Sequence, residues 1–260
     1  MLKTQILYED NEILIINKPE GVSVQGGKGI FHPLDEELSK ELSYKIYLVH
    51  RLDKETSGLL IVAKNSAAAA KWTNLIGSKN VKKEYMALCA NLPLVNGKRC
   101  ASGVLDFEIS THKKIQSAKT FFKLEKEISV QIPPPATAIA TDEKNAGSQE
   151  EKTPVTSGNP VTTVASVSSG TPVSPEKITL YLMRITLGTG RMHQIRIQMA
   201  NAKAPLAADD KYGDFKLNKK LRRAGIKKLQ LAAVKLTIPS QNGKTLSIEC
   251  NLPPHMKNFL

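Results

Sequence analysis

Short apolar runs alternate with polar breaks along most of this 260-residue chain. Ile6-Leu7-Tyr8 and Ile13-Leu14-Ile15-Ile16-Asn17-Lys18 flank the polar turn Glu9-Asp10-Asn11-Glu12. They read as two strands, which Pro19-Glu20-Gly21 brings to an end. Residues 44–49 (Tyr44-Lys45-Ile46-Tyr47-Leu48-Val49) and 59–63 (Leu59-Leu60-Ile61-Val62-Ala63) are apolar and β-branched, which predicts two more strands. Residues 82–90, 178–185 and 229–238 predict another three. Helical spacing is found in residues 31–42 and in 66–79, where Trp72, Leu75 and Ile76 make an apolar face. A further helix is predicted over 191–200, after the tight turn Gly188-Thr189-Gly190. Strands interleaved with single helices, and no internal repeat, predict a mixed α+β fold.

The pattern lapses between residues 128 and 176. Pro133-Pro134-Pro135 opens a stretch of Ala, Thr, Ser, Pro, Val and Gly without a single aromatic residue. It has little apolar surface to bury, which predicts a disordered low-complexity insertion at about 128–176 in a single catalytic domain spanning 1–260.

Charge sharpens the picture. The chain carries a formal +13, but the insertion holds two lysines against five acids, a net −3, so the rest carries +16. A folded part so basic points to nucleic acid as partner. No run of about 18 apolar residues predicts a membrane span, and residues 1–10 lack the apolar core of a secretory signal. Cys89, Cys100 and Cys250 are odd in number and far apart, with no Cys-x-x-Cys pair. The expectation is no disulfide framework, no zinc, and a reducing, cytoplasmic setting.

Candidate chemistry concentrates in residues 50–58, His50-Arg51-Leu52-Asp53-Lys54-Glu55-Thr56-Ser57-Gly58, a polar run between two predicted strands. Strand-end loops are where a rigid sheet presents reactive groups. Taken alone, Asp53 is a common turn residue. It does not stand alone: residues 8–21 (closing on Asn17-Lys18-Pro19-Glu20-Gly21), Lys83-Glu84-Tyr85, Gly190-Arg191-Met192-His193-Gln194-Ile195-Arg196 and Asp209-Asp210-Lys211-Tyr212-Gly213 follow in a fixed order, with Gly26-Gly27 among them. In these blocks the chain resembles the RluA-type pseudouridine synthases, most closely the RluC-like branch that modifies large-subunit (23S) ribosomal RNA.

The resemblance implies a pseudouridine synthase fold, a mixed and mostly antiparallel sheet around a central RNA-binding cleft. It implies isomerisation of specific uridines, in which the uracil–ribose C–N bond is cleaved, the base turned and the bond remade through C5. Asp53 would be the nucleophile, attacking either the sugar or the base. Arg196 would be its basic partner, holding it ionised through paired hydrogen bonds. Tyr85 would stack on the target uracil and Arg51 would fill the stack that the uracil leaves. Arg191 would touch RNA backbone, with Arg191 and Met192 on a helix beside Ile195 and Arg196, while His193 reads as a packing residue. The basic residues between Lys211 and Lys228 would grip phosphates. No metal and no cofactor are implied, and Gly26-Gly27-Lys28-Gly29 lacks the spacing of a nucleotide-binding loop.

Relatives often carry His where this chain has Gln198 and Ala232, and many have a small basic S4-like module ahead of the catalytic domain, which is not expected here. A monomer is expected. The competing expectations are a synthase for transfer RNA or small-subunit RNA, and an inactive RNA-binding protein of ribosome assembly.

Overall fold

A computed structural model describes residues 4–111, 114–135, 175–240 and 243–260. In chain order its elements are β1 (Gln5–Glu9), β2 (Ile13–Lys18), α1 (Leu34–Leu42), β3 (Tyr47–Leu48), β4 (Ser57–Ala63), α2 (Ser66–Gly77) and β5 (Lys82–Cys89). A small hairpin follows, β6 (Leu94–Val95) with β7 (Lys98–Arg99), then β8 (Ser102–Thr111), β9 (Lys114–Ile132) and β10 (Glu176–Leu187). The chain closes with α3 (Gln194–Asn201), α4 (Phe215–Arg223), β11 (Leu231–Pro239), β12 (Thr245–Glu249) and α5 (Pro254–Lys257).

Ten of the strands form one sheet in the order β1-β2-β4-β11-β5-β10-β9-β8, with β3 also on β4 and β12 also on β11. Every neighbouring pair is antiparallel except β4 with β11. The mixed, mostly antiparallel sheet is the expected one. The parallel pair explains one glycine of the 50–58 run. Gly58 has φ +105°, and a side-chain carbon there would lie 2.0 Å from the Ala233 carbonyl oxygen across the pair. Two backbones approach so closely that only glycine fits.

The central strands are buried on both faces. Leu14, Ile16, Leu60, Val62, Ala87 and Met183 face one way, where Leu34 and Leu38 of α1 and Ile195 and Met199 of α3 cover them. Ile13, Ile15, Leu59 and Ile61 face the other way under Ala68 and Trp72 of α2. Met86, Leu88 and Leu182 pack on that second side with Leu221 of α4 and Met256 of α5. This double coverage is why β2, β4 and the second half of β5, from Tyr85 on, read as continuous apolar runs rather than alternating ones.

Three predicted boundaries are corrected. The strand predicted over 44–49 shrinks to Tyr47–Leu48, because only these two residues find ladder partners, Ala63 and Val62 of β4. The expected insertion begins too early. Ile128, Val130 and Ile132 are buried at alternate positions of β9 opposite β10, and Glu176 already belongs to β10. Residues 136–174 lie outside the described residues. The third correction, at residues 191–193, concerns the site. Among the described residues no helix is long and apolar enough to cross a membrane.

Candidate active site

Asp53 sits in the loop between β3 and β4, and the loop is fixed from several sides. His50 Nε2 accepts the Ile61 N–H at 3.0 Å. Burial, assisted by the nearby Lys83 charge, pushes the His50 pKa down to about 3, so the ring is a neutral brace. Leu52 is buried in the core. The Lys54 carbonyl accepts the Gly21 N–H at 2.8 Å and Lys18 Nζ at 3.2 Å. Lys18 has no exposed surface, and its Nζ also donates to the Pro19 and Val22 carbonyls at 2.8 and 2.9 Å. The Asn17–Gly21 block thus underpins the residue next to Asp53.

Two side chains face the Asp53 carboxylate. His193 Nε2 lies 3.7 Å from Oδ1, and Arg196 Nη1 lies 3.5 Å from Oδ2. The paired hydrogen bond expected between Arg196 and Asp53 is made elsewhere. Arg196 Nε and Nη2 donate to the two oxygens of Asp209, each at 2.8 Å. The Asp209 side chain has no exposed surface, and the backbone N–H groups of Lys211 and Tyr212 also donate to it. Burial opposes charge on both partners. Their mutual pairing outweighs it, holding Asp209 below the usual carboxylate value and Arg196 above the usual arginine value. Arg196 therefore meets Asp53 as a preformed cation whose third nitrogen also lies 3.7 Å from Glu55.

His193 is also placed differently from expectation. Helix α3 starts at Gln194, so Arg191 and Met192 precede it, and His193 takes left-handed backbone (φ +53°). The helical pattern fails there because the Gln194 side chain organises a turn. Its carbonyl accepts the Arg191 N–H at 3.0 Å and the Thr189 hydroxyl at 2.7 Å, and its amide donates to the Lys119 carbonyl and Thr120 Oγ1. The turn swings the imidazole towards Asp53, with Nδ1 2.8 Å from the Tyr212 hydroxyl. Burial lowers the His193 pKa in spite of the Asp53 charge. Asp209, Tyr212 and His193 are the members of the site that sequence reasoning left out. The Asp209–Gly213 block was visible, but not what it would hold.

Two cavities meet at Asp53. One, of about 550 Å³, is lined by Leu52, Tyr85, Gln194 and Ile195 as well as by charged residues. The other, of about 730 Å³, is bordered by Glu20, Lys54, Lys211, Lys227 and Lys228. Arg51, Asp53, His193 and Arg196 belong to both. All five expected site residues, Arg51, Asp53, Tyr85, Arg191 and Arg196, border the first cavity. Tyr85 is at once a core residue, 6% exposed, and part of the wall, and burial followed by the Asp53 charge raises its phenol pKa. Arg51 is exposed and makes no ion pair among the described residues. Arg191 rests its Nε on the Ser117 carbonyl at 3.2 Å. Gln198 packs inside, bonded to Thr120 and to three backbone carbonyls. Among the described residues no group of three or more His, Cys, Asp or Glu side chains is placed to hold a metal ion.

The family model for RNA pseudouridylate synthase matches residues 12–201, from the start of β2 to the end of α3 and across both Asp53 and Arg196. The chain belongs to the RNA pseudouridylate synthase family. It is an isomerase acting on RNA. The ribosomal large subunit pseudouridine synthase C of Pasteurella multocida is 30% identical over 262 residues, covering 100% of this chain and 68% of that one. The protein of the same name from Escherichia coli K12 is 31% identical, covering 98% of this chain and 68% of its own. Two human structures, RNA Pseudouridylate Synthase Domain Containing 4 and 1, match this pseudouridine synthase with TM-scores of 0.63 and 0.62 at 21% and 17% identity. They cover 97% and 98% of this chain and 90% and 86% of their own, and they establish the synthase fold.

Proposed function

We propose that this pseudouridine synthase modifies specific uridines of large-subunit ribosomal RNA, with Asp53 as its nucleophile. The observation that supports this most is the position of Asp53. Among the described residues its carboxylate is the one acid bordering the 550 Å³ cavity, and a cation and an imidazole face its two oxygens. The names of the relatives support the substrate class.

A uridine taken out of its stack enters beside Tyr85, whose ring face gives the uracil a surface to lie on. Arg51, at the rim of both cavities, occupies the space the base has left. Asp53 attacks the sugar or the base, and the C1′–N1 bond breaks. The base turns, C5 bonds to C1′, the bond to Asp53 breaks and restores the carboxylate, the C5 hydrogen leaves as a proton and N1 takes one up. Arg196, held by Asp209 through two nitrogens, turns the third towards Asp53 at 3.5 Å and Glu55 at 3.7 Å. Arg191 contacts the RNA backbone. The enzyme works in the cytoplasm as a monomer and without a nucleotide cofactor.

Tritium release from RNA carrying 5-³H-uridine tests the reading, with wild type and Asp53→Asn each given large-subunit transcripts, small-subunit transcripts and transfer RNA. Release from large-subunit RNA alone, abolished in Asp53→Asn while RNA binding persists, is the expected result. Release by Asp53→Asn would remove the nucleophile. Release from transfer or small-subunit RNA instead would reassign the substrate. Binding without release from any RNA would favour an assembly protein.

A further inference from the structure

Lys83 is a cation without an acid. It lies on β5 two residues before Tyr85, so strand alternation turns both side chains to the cleft. Lys82 and Glu84 point to the opposite face, where Glu84 meets Lys82 at 2.7 Å and Arg184 at 3.4 Å. The acid that β5 supplies is thus on the wrong side of the sheet for Lys83. Among the described residues no carboxylate lies within 4 Å of its Nζ, and no hydrogen bond holds it.

The surroundings make that omission unfavourable. Lys83 is half-buried, and burial pulls its pKa below the usual lysine value. Its charge is also felt at His50. An ammonium withdrawn from water without a counter-charge destabilises a fold. Arg196, the other buried cation of this cavity, is compensated by Asp209. Asp53 is already faced by His193 and Arg196.

The wall next to Lys83 is open and basic. A side-chain carbon at Gly190 would lie 3.6 Å from Lys83 Nζ, so the glycine leaves the ammonium facing the Gly188–Arg191 turn. Arg191 follows at once. Its backbone and Nε are committed to Gln194 and Ser117, which fixes the stem and leaves the two terminal nitrogens for a ligand.

We propose that Lys83 and Arg191 form a phosphate site that takes one phosphodiester flanking the target uridine, and so fixes the side of the cleft that the neighbouring nucleotides follow. The inference rests on the RNA reading of this cavity. A phosphate supplies the missing counter-charge, and the guanidinium fork matches its oxygens.

The experiment is a scan of a minimal RNA substrate with one neutral methylphosphonate at each phosphate around the target, read by binding to wild type and Lys83→Met. Wild type loses affinity sharply at one position. Lys83→Met binds unmodified RNA about tenfold more weakly, with a log K against log salt slope smaller by about one. It is far less sensitive than wild type to the methylphosphonate at that same position, where Arg191 alone remains, and its loss falls on KM. Equal sensitivity of both proteins at every position would overturn the site. So would an unchanged salt slope, or a loss confined to turnover at saturating RNA. Lys83→Met melts no lower than wild type if the ammonium serves a ligand, and a lower melting temperature restored by Lys83→Arg would mark a structural lysine and sink the proposal. The scan reads binding alone, so it decides on Lys83 even if the tritium assay rejects the proposed substrate.

Discussion

Arg196 and Asp209 form a buried two-bond pair, with Nε and Nη2 each 2.8 Å from a carboxylate oxygen, and the third nitrogen of the same guanidinium points at Asp53. The cation that faces Asp53 is therefore held by a different acid, thirteen residues downstream of it. The turn that carries Asp209 is tight. A side-chain carbon on Gly213 would come within 2.2 Å of the Asp209 carbonyl oxygen, so only glycine closes it.

Removing Asp209 leaves a guanidinium buried with too little counter-charge. Asp209→Ala is expected to lower stability by about 3–5 kcal/mol, since breaking a buried pair strands its partner. Asp209→Asn keeps the shape and loses less. In both, Arg196 is free to swing fully onto Asp53, and a misplacement of about 1 Å is worth about a hundredfold in turnover. Urea unfolding and tritium release check the two effects separately. Wild-type turnover in Asp209→Asn would show that the pair serves only the fold.

The Tyr212 hydroxyl and His193 Nδ1 are 2.8 Å apart, and His193 Nε2 faces an acceptor-only carboxylate. The tautomer that satisfies both has the hydroxyl donating to Nδ1 and Nε2–H directed at Asp53. Tyr212→Phe removes the group that sets this tautomer. A lost hydrogen bond of about 1 kcal/mol predicts a several-fold fall in turnover at saturating RNA. His193→Gln, which keeps an N–H donor, retains more turnover than His193→Leu. Equal activity in these two variants would deny the donor role.

Much of this architecture was legible beforehand because β2, β4 and the second half of β5 are buried on both faces and leave apolar runs. The long β8–β9 hairpin was not. Half its side chains face solvent, and its buried positions, such as Leu105, Ile109, Ala118 and Phe122, are spaced among charges. The five site residues came from motif blocks, and they do line one cavity. What the blocks could not convey was pairing across turns. The 191–200 segment scans as one helix, yet the buried Gln194 network diverts its first three residues and brings His193 to the site.

His50 ties stability to pH. Its folded pKa of about 3 lies below the unfolded value of about 6.5, so the unfolded chain binds the extra proton. The contribution is intact above pH 6.5 and is lost progressively as pH falls towards 3. Between pH 6.5 and 5 wild type should lose about 1–2 kcal/mol that His50→Gln does not lose, while His193 and His255, also shifted down, contribute equally to both proteins. Urea midpoints at the two pH values measure the difference. Parallel losses in both proteins would mean that the brace accepts a proton without penalty.

Lys18 carries the opposite end of the pH scale. Burial pulls its pKa down to about 8, against the charges of Glu55, Asp53 and Glu20. Below pH 8 the fold bears the penalty of a buried ammonium, and the penalty is relieved as pH rises towards about 10.4, where the unfolded lysine titrates. Wild type should therefore gain about 2–3 kcal/mol over that range relative to Lys18→Met. At pH 7 the same substitution deprives the Pro19, Val22 and Lys54 carbonyls of their shared donor. Lys54 adjoins Asp53, so the Asp53 loop loosens and, with Asp53 as the proposed nucleophile, turnover falls by about a hundredfold with RNA affinity retained. Binding lost in step with turnover would mean instead that Lys18 holds the RNA surface rather than the Asp53 loop.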